Sequence, residues 1–256
     1  MNEKQTIFLC EDTLEGVFSG IYDAWDSKKG HSLCRIQLGV DNYELFCEYI
    51  MVKTDEEKAW KVSKTICERL GYEVYQNLCR AIASFDCEKA EAVYKTIVVG
   101  LSLKNGKCVM NYLSNPYVAK IFELNRNVNN EVLHVTEFLR FRELRNKVLF
   151  SEIGPKNDII TFIAPHFADR FPLENFMIYD SMRKSVVLHE KQKQWVYMKN
   201  QMIDLDAIKE YSSEEEYFEE LFKGFCHTIS IKERENLKLQ QQMLPKRFQK
   251  YMTEFQ

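Results

Sequence analysis

Residues 6–30, TIFLCEDTLEGVFSGIYDAWDSKKG, join a short β-rich run to an amphipathic helical pattern. The run TIFLC (6–10) has the composition of a strand. The apolar residues that follow recur at helical spacing: Leu14, Val17, Phe18, Ile21 and Trp25. Thr13 lies after two acidic residues, where it can cap the helix, and Gly30 can end the unit. The stretch therefore predicts a strand followed by a helix at the start of the chain.

The next hundred residues favour helices. CRIQL (34–38) and YELFCEYIMVK (43–53) predict either strands or a strand leading into a helix. From Thr54 to about Leu103 the helical period is continuous except for breaks at Gly71 and at SFD (84–86). Three antiparallel helices account for this pattern most simply. A further helix is expected from Asn115, with Pro116 in its first turn.

In the second half of the sequence, apolar and polar residues alternate with a period of two. EFLRFREL (137–144) reads as a strand with Arg140 and Arg142 on one face. Further strand-like runs follow in order: KVLFSEI, IITFIA, NFMIYDSMR, SVVLHEK and QWVYMKN. We predict an antiparallel β-meander over 138–199, interrupted by a short helix at APHFADRF (164–171), and then long C-terminal helices. The predicted fold class is α+β, with parts 1–112 and 113–256 that are either two domains or one compact domain.

Length and composition narrow the class of protein. The chain has 256 residues, 45% of them apolar, only 9 Gly and 5 Pro, and no apolar run of about 18 residues. We therefore expect a folded, soluble, cytoplasmic protein that contacts no membrane. No GxGxxG, GxxxxGK[ST], GxSxG, CxxC, HxH, HxxxH or HExxH motif is present. We accordingly expect no cofactor and no metal site.

Charge is unevenly distributed along the chain. The net charge is −3, but residues 104–199 carry 15 Lys and Arg against 10 Asp and Glu. Residues 200–231 carry 2 against 8, and residues 232–256 carry 6 against 3. A basic middle and a basic tail thus flank an acidic stretch. Such a pattern is compatible with a phosphate-binding face and also with an ordinary solvated surface.

Several basic side chains are candidates for anion binding, each with a structural alternative. His166 and Arg170 lie four residues apart, so a helix presents them on one face, either to an anion or to solvent above packed phenylalanines. Arg140 and Arg142 could follow successive phosphates or pair with nearby glutamates. Other candidates lie in two further motifs, YDSMRKS (Asp180 with Arg183) and LPKRF (Lys246 and Arg247). In YDSMRKS a hairpin turn with an Asp side chain accepting backbone hydrogen bonds is the alternative.

Five segments, in this order, resemble one family of proteins. They are FLCEDTLEGVFSGIYDAW (8–25), FLRFREL (138–144), APHFADRF (164–171), FMIYDSMR (176–183) and NLKLQQQMLPKRFQKYM (236–252). The ordered set resembles the bacterial family of unknown function labelled "probable DNA metabolism protein". That family is paired in genomes with a radical SAM protein assigned to DNA modification or repair, and a related domain is fused behind a uracil-DNA glycosylase domain.

The resemblance implies which residues belong to family motifs, without assigning any of them a catalytic role. The matching positions are Arg140, Arg142, His166, Arg170, Phe171, Asp180, Arg183, Gln241, Pro245 and Arg247. Where the family ends in Arg-Tyr-Trp this chain has Arg247-Phe248-Gln249, which weakens the case for base stacking at the third position.

Three functions are compatible with these features. The first is an accessory protein of DNA metabolism or repair that binds nucleic acid through an Arg-rich surface and acts with a radical SAM partner. The second is an enzyme acting on a nucleotide or DNA base, with His166 as the acid or base. The third is a protein–protein interaction module that uses the acidic stretch 204–220 and the C-terminal helix.

Overall fold

The computed structural model of the chain describes residues 4–39, 43–202, 213–229, 236–252 and 255. It divides into two compact units, residues 1–129 and 130–256, which are described separately below. Helices and strands are mixed in the chain, so the predicted α+β class is confirmed. The division at residues 112 and 113 stays a prediction.

The first unit opens with the predicted strand and helix. Its early elements are β1 (Gln5–Cys10), α1 (Leu14–Asp26), β2 (Cys34–Leu38) and β3 (Cys47–Met51). Thr13 caps α1, since its Oγ1 accepts a hydrogen bond from the Gly16 backbone N–H at 2.9 Å. The two uncertain segments are both strands, and they pair in parallel on either side of β1 in the order β2-β1-β3.

Helices complete the first unit, as their periodicity predicted. They are α2 (Glu56–Arg69), α3 (Tyr72–Ile82), α4 (Lys89–Ser102), a 3₁₀ helix (Gly106–Asn111) and α5 (Pro116–Phe138), which continues into the second unit. The cap of α2 is Asp55, whose side chain accepts from two backbone N–H groups. A single cluster of buried side chains joins β1, β2 and helices α1 to α5.

The second unit contains a five-stranded sheet in the order β4-β5-β6-β7-β8. Its strands are β4 (Arg142–Glu143), β5 (Leu149–Ile153), β6 (Phe176–Asp180), β7 (Ser185–His189) and β8 (Val196–Met198). Three of the four strand pairs are antiparallel, as a meander requires. The pair β5 and β6 is parallel, because α6 (Ile160–Arg170) connects the two as a crossover helix.

Two strand predictions in this unit are wrong. EFLRFREL is not a strand over 137–144: α5 continues to Phe138, and β4 spans only Arg142 and Glu143. Arg140 and Arg142 therefore do not share the face of one strand. IITFIA is the first half of α6 and not a strand. Its buried residues, together with Phe167, follow the helical spacing that the short apolar run concealed: Ile159, Ile160, Ile163 and Phe167.

The C-terminal region is helical where it is described. It contains α7 (Ser213–Ile229), α8 (Leu237–Met243) and α9 (Lys246–Gln249), of which only α7 is long. Pro245 precedes α9 at its N-cap position. Much of the acidic stretch 204–220 lies outside the described residues, which resume at 213. Within the described ranges, no helix has the length and apolar content needed to cross a membrane.

Candidate functional site

Helix α6 presents a histidine and an arginine to solvent. His166 and Arg170 are exposed and share a face because they are four residues apart, whereas Phe167 is 3% exposed and packs inward. The His166 ring stands edge-on to Phe167, with centroids 5.1 Å apart, and the described residues offer it no hydrogen-bond partner. A catalytic histidine is normally oriented by a hydrogen bond to its second ring nitrogen. No such orienting group is present in the described part of this surface.

A phenylalanine cluster brings the FLRFREL and APHFADRF motifs together. The Phe141 ring lies 5.3 Å from Phe167, 5.5 Å from Phe171 and 5.6 Å from Phe176, measured between centroids. Because Phe176 is the first residue of β6, the cluster lies near the amino end of that strand. We call this region, with Arg140, His166 and Arg170, the amino-edge surface.

The three arginines around this cluster have different surroundings. Arg142 Nε lies 2.5 Å from Glu219 Oε1 of α7, so its charge is already paired. Arg140 is half-buried, and its Nη1 donates to the Glu137 carbonyl at 3.3 Å. Arg170 is exposed, has its guanidinium carbon 5.7 Å from the centroid of the Phe171 ring, and makes no salt bridge with a described residue. Of the three, Arg170 is the most accessible to an anion.

A second set of motif residues lies at the opposite end of the parallel strands, next to the carboxyl ends of β5 and β6. Asp180 is fully buried, and it accepts hydrogen bonds from the backbone N–H of Met182 at 2.9 Å and of Arg183 at 3.3 Å. Its Oδ2 lies 3.2 Å from Arg183 Nη1. Burial raises the pKa of Asp180 above its ordinary value of 3.8, and the Arg183 charge opposes that rise. The predicted Asp turn is therefore present.

Arg183 also holds the loop that follows β5. Its guanidinium donates to the carbonyl oxygen of Pro155 at 3.1 Å and to that of Lys156. We call residues 154–158 (GPKND) the β5–α6 loop. In sheets with parallel strands, ligands commonly bind beyond the carboxyl ends of those strands. The β5–α6 loop lies at such a position.

Glu131 of α5 holds the same loop from another direction. Its carboxylate is 1% exposed and accepts from the backbone N–H of Lys156 at 3.0 Å and of Asn157 at 2.8 Å, and from Asn157 Nδ2 at 2.6 Å. Arg247 Nη2 lies 3.1 Å from Glu131 Oε1, and its guanidinium carbon lies 4.6 Å from the centroid of the Phe248 ring. Two candidate arginines, Arg183 and Arg247, are thus joined to one loop.

The C-terminal segment also contacts the β5–α6 loop at Gly154. A Cβ at this position would overlap the hydroxyl of Tyr251, so the close approach requires glycine. Arg247, through Glu131, and Tyr251 therefore hold the C-terminal segment at the β5–α6 loop. Lys246, the other candidate cation of this segment, is exposed and makes no salt bridge with a described residue.

The candidate residues thus form two groups and not a single site. Arg140, Arg142, His166 and Arg170 surround the phenylalanine cluster, while Arg183 and Arg247 support the β5–α6 loop. Sequence reasoning missed Glu131, Asn157 and Tyr251. Glu131 could have been noticed, because it shares a helical face with Val128 and Val135, which are both buried. Among the described residues, no three His, Cys, Asp or Glu side chains are grouped as metal ligands.

A match to a known family covers the whole second unit apart from its last two residues. Residues 87–254 match a family described as a domain of unknown function, DUF4130. The chain belongs to the DUF4130 family. Both groups of candidate residues lie within the DUF4130 match, whereas β1 to α3 precede it. No curated protein matches the sequence. Membership in a family of unknown function, which the motifs indicated, is confirmed, and the link to DNA metabolism is taken up below as a proposal.

Proposed function

We propose that this DUF4130 protein is an accessory protein of DNA metabolism or repair that binds nucleic acid through its amino-edge surface. The observation that carries the proposal is the contact of Phe141 with Phe167 and Phe171, which brings Arg140 and Arg170 to one region. Arg170 is exposed and makes no salt bridge with a described residue, so it can bind a phosphate without breaking such an ion pair.

The chemistry of this surface fits a nucleic-acid backbone. Guanidinium groups bind phosphate through paired N–H donors, and partly exposed aromatic rings give bases a surface for stacking. Phe141 and Phe171 are both partly exposed beside the arginines.

The other candidate cations have supporting roles in this proposal. Arg142 is paired with Glu219, Arg183 with Asp180 and Arg247 with Glu131, so these three arginines mainly hold the second unit together. Lys246 is exposed and remains a candidate phosphate contact. His166 acts as a hydrogen-bond donor at the edge of the surface and not as a general base.

The proposal is tested by titrating labelled single- and double-stranded DNA with matched charge-reversal variants. We expect Arg140→Glu/Arg170→Glu to weaken binding at least about tenfold, because two phosphate contacts are lost and two repulsive charges are added. The control is Lys184→Glu/Lys199→Glu, which makes the same change of charge on exposed residues elsewhere in the second unit. Equal loss in both variants, or in neither, would contradict a role for the amino-edge surface.

A partner protein is favoured by a separate observation on α7. Four large apolar side chains of this helix are between 38% and 60% exposed: Tyr217, Phe218, Leu221 and Phe222. Its Glu215 and Glu219 instead face β4, where they bind the Glu143 backbone N–H and Arg142. The helix thus directs Glu215 and Glu219 to the protein and these four apolar side chains to solvent, which is typical of an interaction surface.

The resemblance to proteins that accompany a radical SAM protein identifies the partner that we propose for α7. Co-purification of the two proteins should be lost in Phe218→Ser/Phe222→Ser and kept in the DNA-binding variant Arg140→Glu/Arg170→Glu. Co-purification that survives the α7 substitutions would contradict docking through this helix.

A further inference from the structure

The first unit contains a polar cleft that the proposed DNA-binding surface does not use. Its volume is about 700 Å³, within the range of roughly 300–1,000 Å³ that is usual for ligand sites. The walls come from the outer edge of β2, the first half of α4 and the start of α5. This cleft is therefore a candidate small-molecule site.

Side chains of α4 cover the open edge of β2 and form one wall. Glu91 Oε2 accepts from the Ile36 backbone N–H at 2.8 Å, and Lys95 Nζ donates to the Cys34 carbonyl at 2.9 Å. Burial raises the pKa of Glu91, opposed by the Ile36 N–H and by Lys95. Because these groups complete the strand edge, an added β-strand is not the expected occupant.

Each cation that lines the cleft already has a carboxylate partner. Arg35 binds Glu44 at 2.8 Å, and Lys95 lies 3.5 Å from Glu91. The third, Lys120, lies 2.9 Å from Asp86. An anionic ligand would therefore have to compete with these ion pairs, which disfavours phosphate as the main anchor.

Besides these cations and the acids Glu88 and Glu91, the cleft contains neutral polar groups. Gln5, Ser32, Gln37 and Tyr117 line the cleft, and Tyr117 is 37% exposed. Gln37 Oε1 is buried and accepts no hydrogen bond from a described residue. A buried acceptor without a donor costs about 1–3 kcal/mol, which a ligand N–H can recover if the amide rotates towards it.

We propose that this cleft binds an uncharged adenine nucleoside, with the amide of Gln37 paired to the adenine ring and Tyr117 stacked beside it. A glutamine amide matches adenine because its oxygen accepts from the N6 amino group while its NH₂ donates to N7. Tyr117, which lines the cleft and is 37% exposed, offers an aromatic face, and the cations that line the cleft are paired with carboxylates. The inference is independent of the DNA-binding proposal, since it concerns a different unit and a neutral ligand.

The test is a titration of the full chain with adenosine, inosine and AMP, in which binding is measured by calorimetry and by amide NMR shifts. Adenosine should bind, and inosine, which has an oxygen in place of the amino group, should bind about tenfold more weakly. AMP should bind no more tightly than adenosine. Gln37→Leu should weaken adenosine binding about tenfold, whereas Gln76→Leu, the same change at an exposed position on α3, should have no effect.

Tyr117→Ala provides a second variant in case Gln37→Leu does not fold, which thermal melting will show. It removes the stacking face from an exposed position and should weaken adenosine binding several-fold. The proposal is overturned by any of three results: no binding of adenosine at millimolar concentration, equal binding of inosine, or AMP binding more tightly than adenosine.

Discussion

The ring of Phe141 stands edge-on to that of Phe171, with centroids 5.5 Å apart and planes at 82°. The two residues belong to the two sequence motifs that carry Arg140 and Arg170. Edge-to-face geometry is favourable for aromatic pairs and fixes their relative orientation. The separation of the candidate arginines of the amino-edge surface is thus set by phenylalanine packing.

Removing the Phe141 ring should therefore destabilise the second unit. Since Phe141 contacts three other phenylalanines but is partly exposed, we expect Phe141→Ala to lower the free energy of unfolding by about 2–4 kcal/mol. Phe141→Leu, which keeps most of the volume, should cost about 1 kcal/mol. Urea unfolding measures both, and equal stability of wild type and Phe141→Ala would show that the cluster is not structural.

Glu131 should be the most sensitive charged residue of the second unit. Glu131→Gln removes the charge that receives three N–H groups and Arg247, and we expect a loss of about 2–3 kcal/mol. Glu137→Gln, the same change at an exposed position of α5, should alter stability by less than about 0.5 kcal/mol. Similar denaturation midpoints for the two variants would be inconsistent with the network around the β5–α6 loop.

Gly154→Ala should lower stability because the added methyl group overlaps the Tyr251 hydroxyl. We expect a loss of about 1–3 kcal/mol, and a much smaller loss when the substitution is made in a Tyr251→Ala background. Gly224→Ala on α7, where the added atom has no neighbour within 4 Å, should instead raise stability by up to about 1 kcal/mol. Additive effects of Gly154→Ala and Tyr251→Ala in a double-mutant cycle would rule out the contact.

The stability contribution of Asp180 should depend on pH in a defined direction. Its folded pKa is raised above 3.8, so the folded chain binds the proton more tightly than the unfolded chain does. Its contribution is then full below pH 3.8 and is lost as the pH rises through the folded pKa. The stability of wild type relative to Asp180→Asn should therefore decrease from pH 3.8 upward.

Chemical denaturation of both proteins at several pH values measures this difference. Asp169→Asn, the same change at an exposed position on α6, is the matched control. A stability difference between wild type and Asp180→Asn that grows with pH would mean that the charged form is favoured in the folded chain.

Local sequence signals predicted the elements that have strong periodicity. The first strand and helix, the three helices after residue 54 and the start of α5 follow from apolar spacing, acidic first turns and Pro116. The APHFADRF helix was also predicted. Its start at Ile160 was not predicted, because a short apolar run fits a buried strand and a buried helix equally well.

Contacts between distant residues could not be predicted in the same way. β5 and β6 run parallel because α6 acts as a crossover between them. The prediction of IITFIA as a strand omitted the first half of that helix. The pairing of Arg183 and Arg247 with one loop depends on Glu131, which local sequence shows only as one more acid on a helix. The separation of the motif arginines into two groups is a tertiary property that local sequence does not show.

The salt dependence of DNA binding tests the central claim most directly. If Arg140 and Arg170 each neutralise one phosphate, the slope of log Kd against log salt concentration should fall by roughly 1.4–1.8 in Arg140→Glu/Arg170→Glu relative to wild type. The slope of Lys184→Glu/Lys199→Glu should stay at the wild-type value. Identical slopes and affinities for wild type and Arg140→Glu/Arg170→Glu would contradict the assignment of the amino-edge surface to nucleic-acid binding.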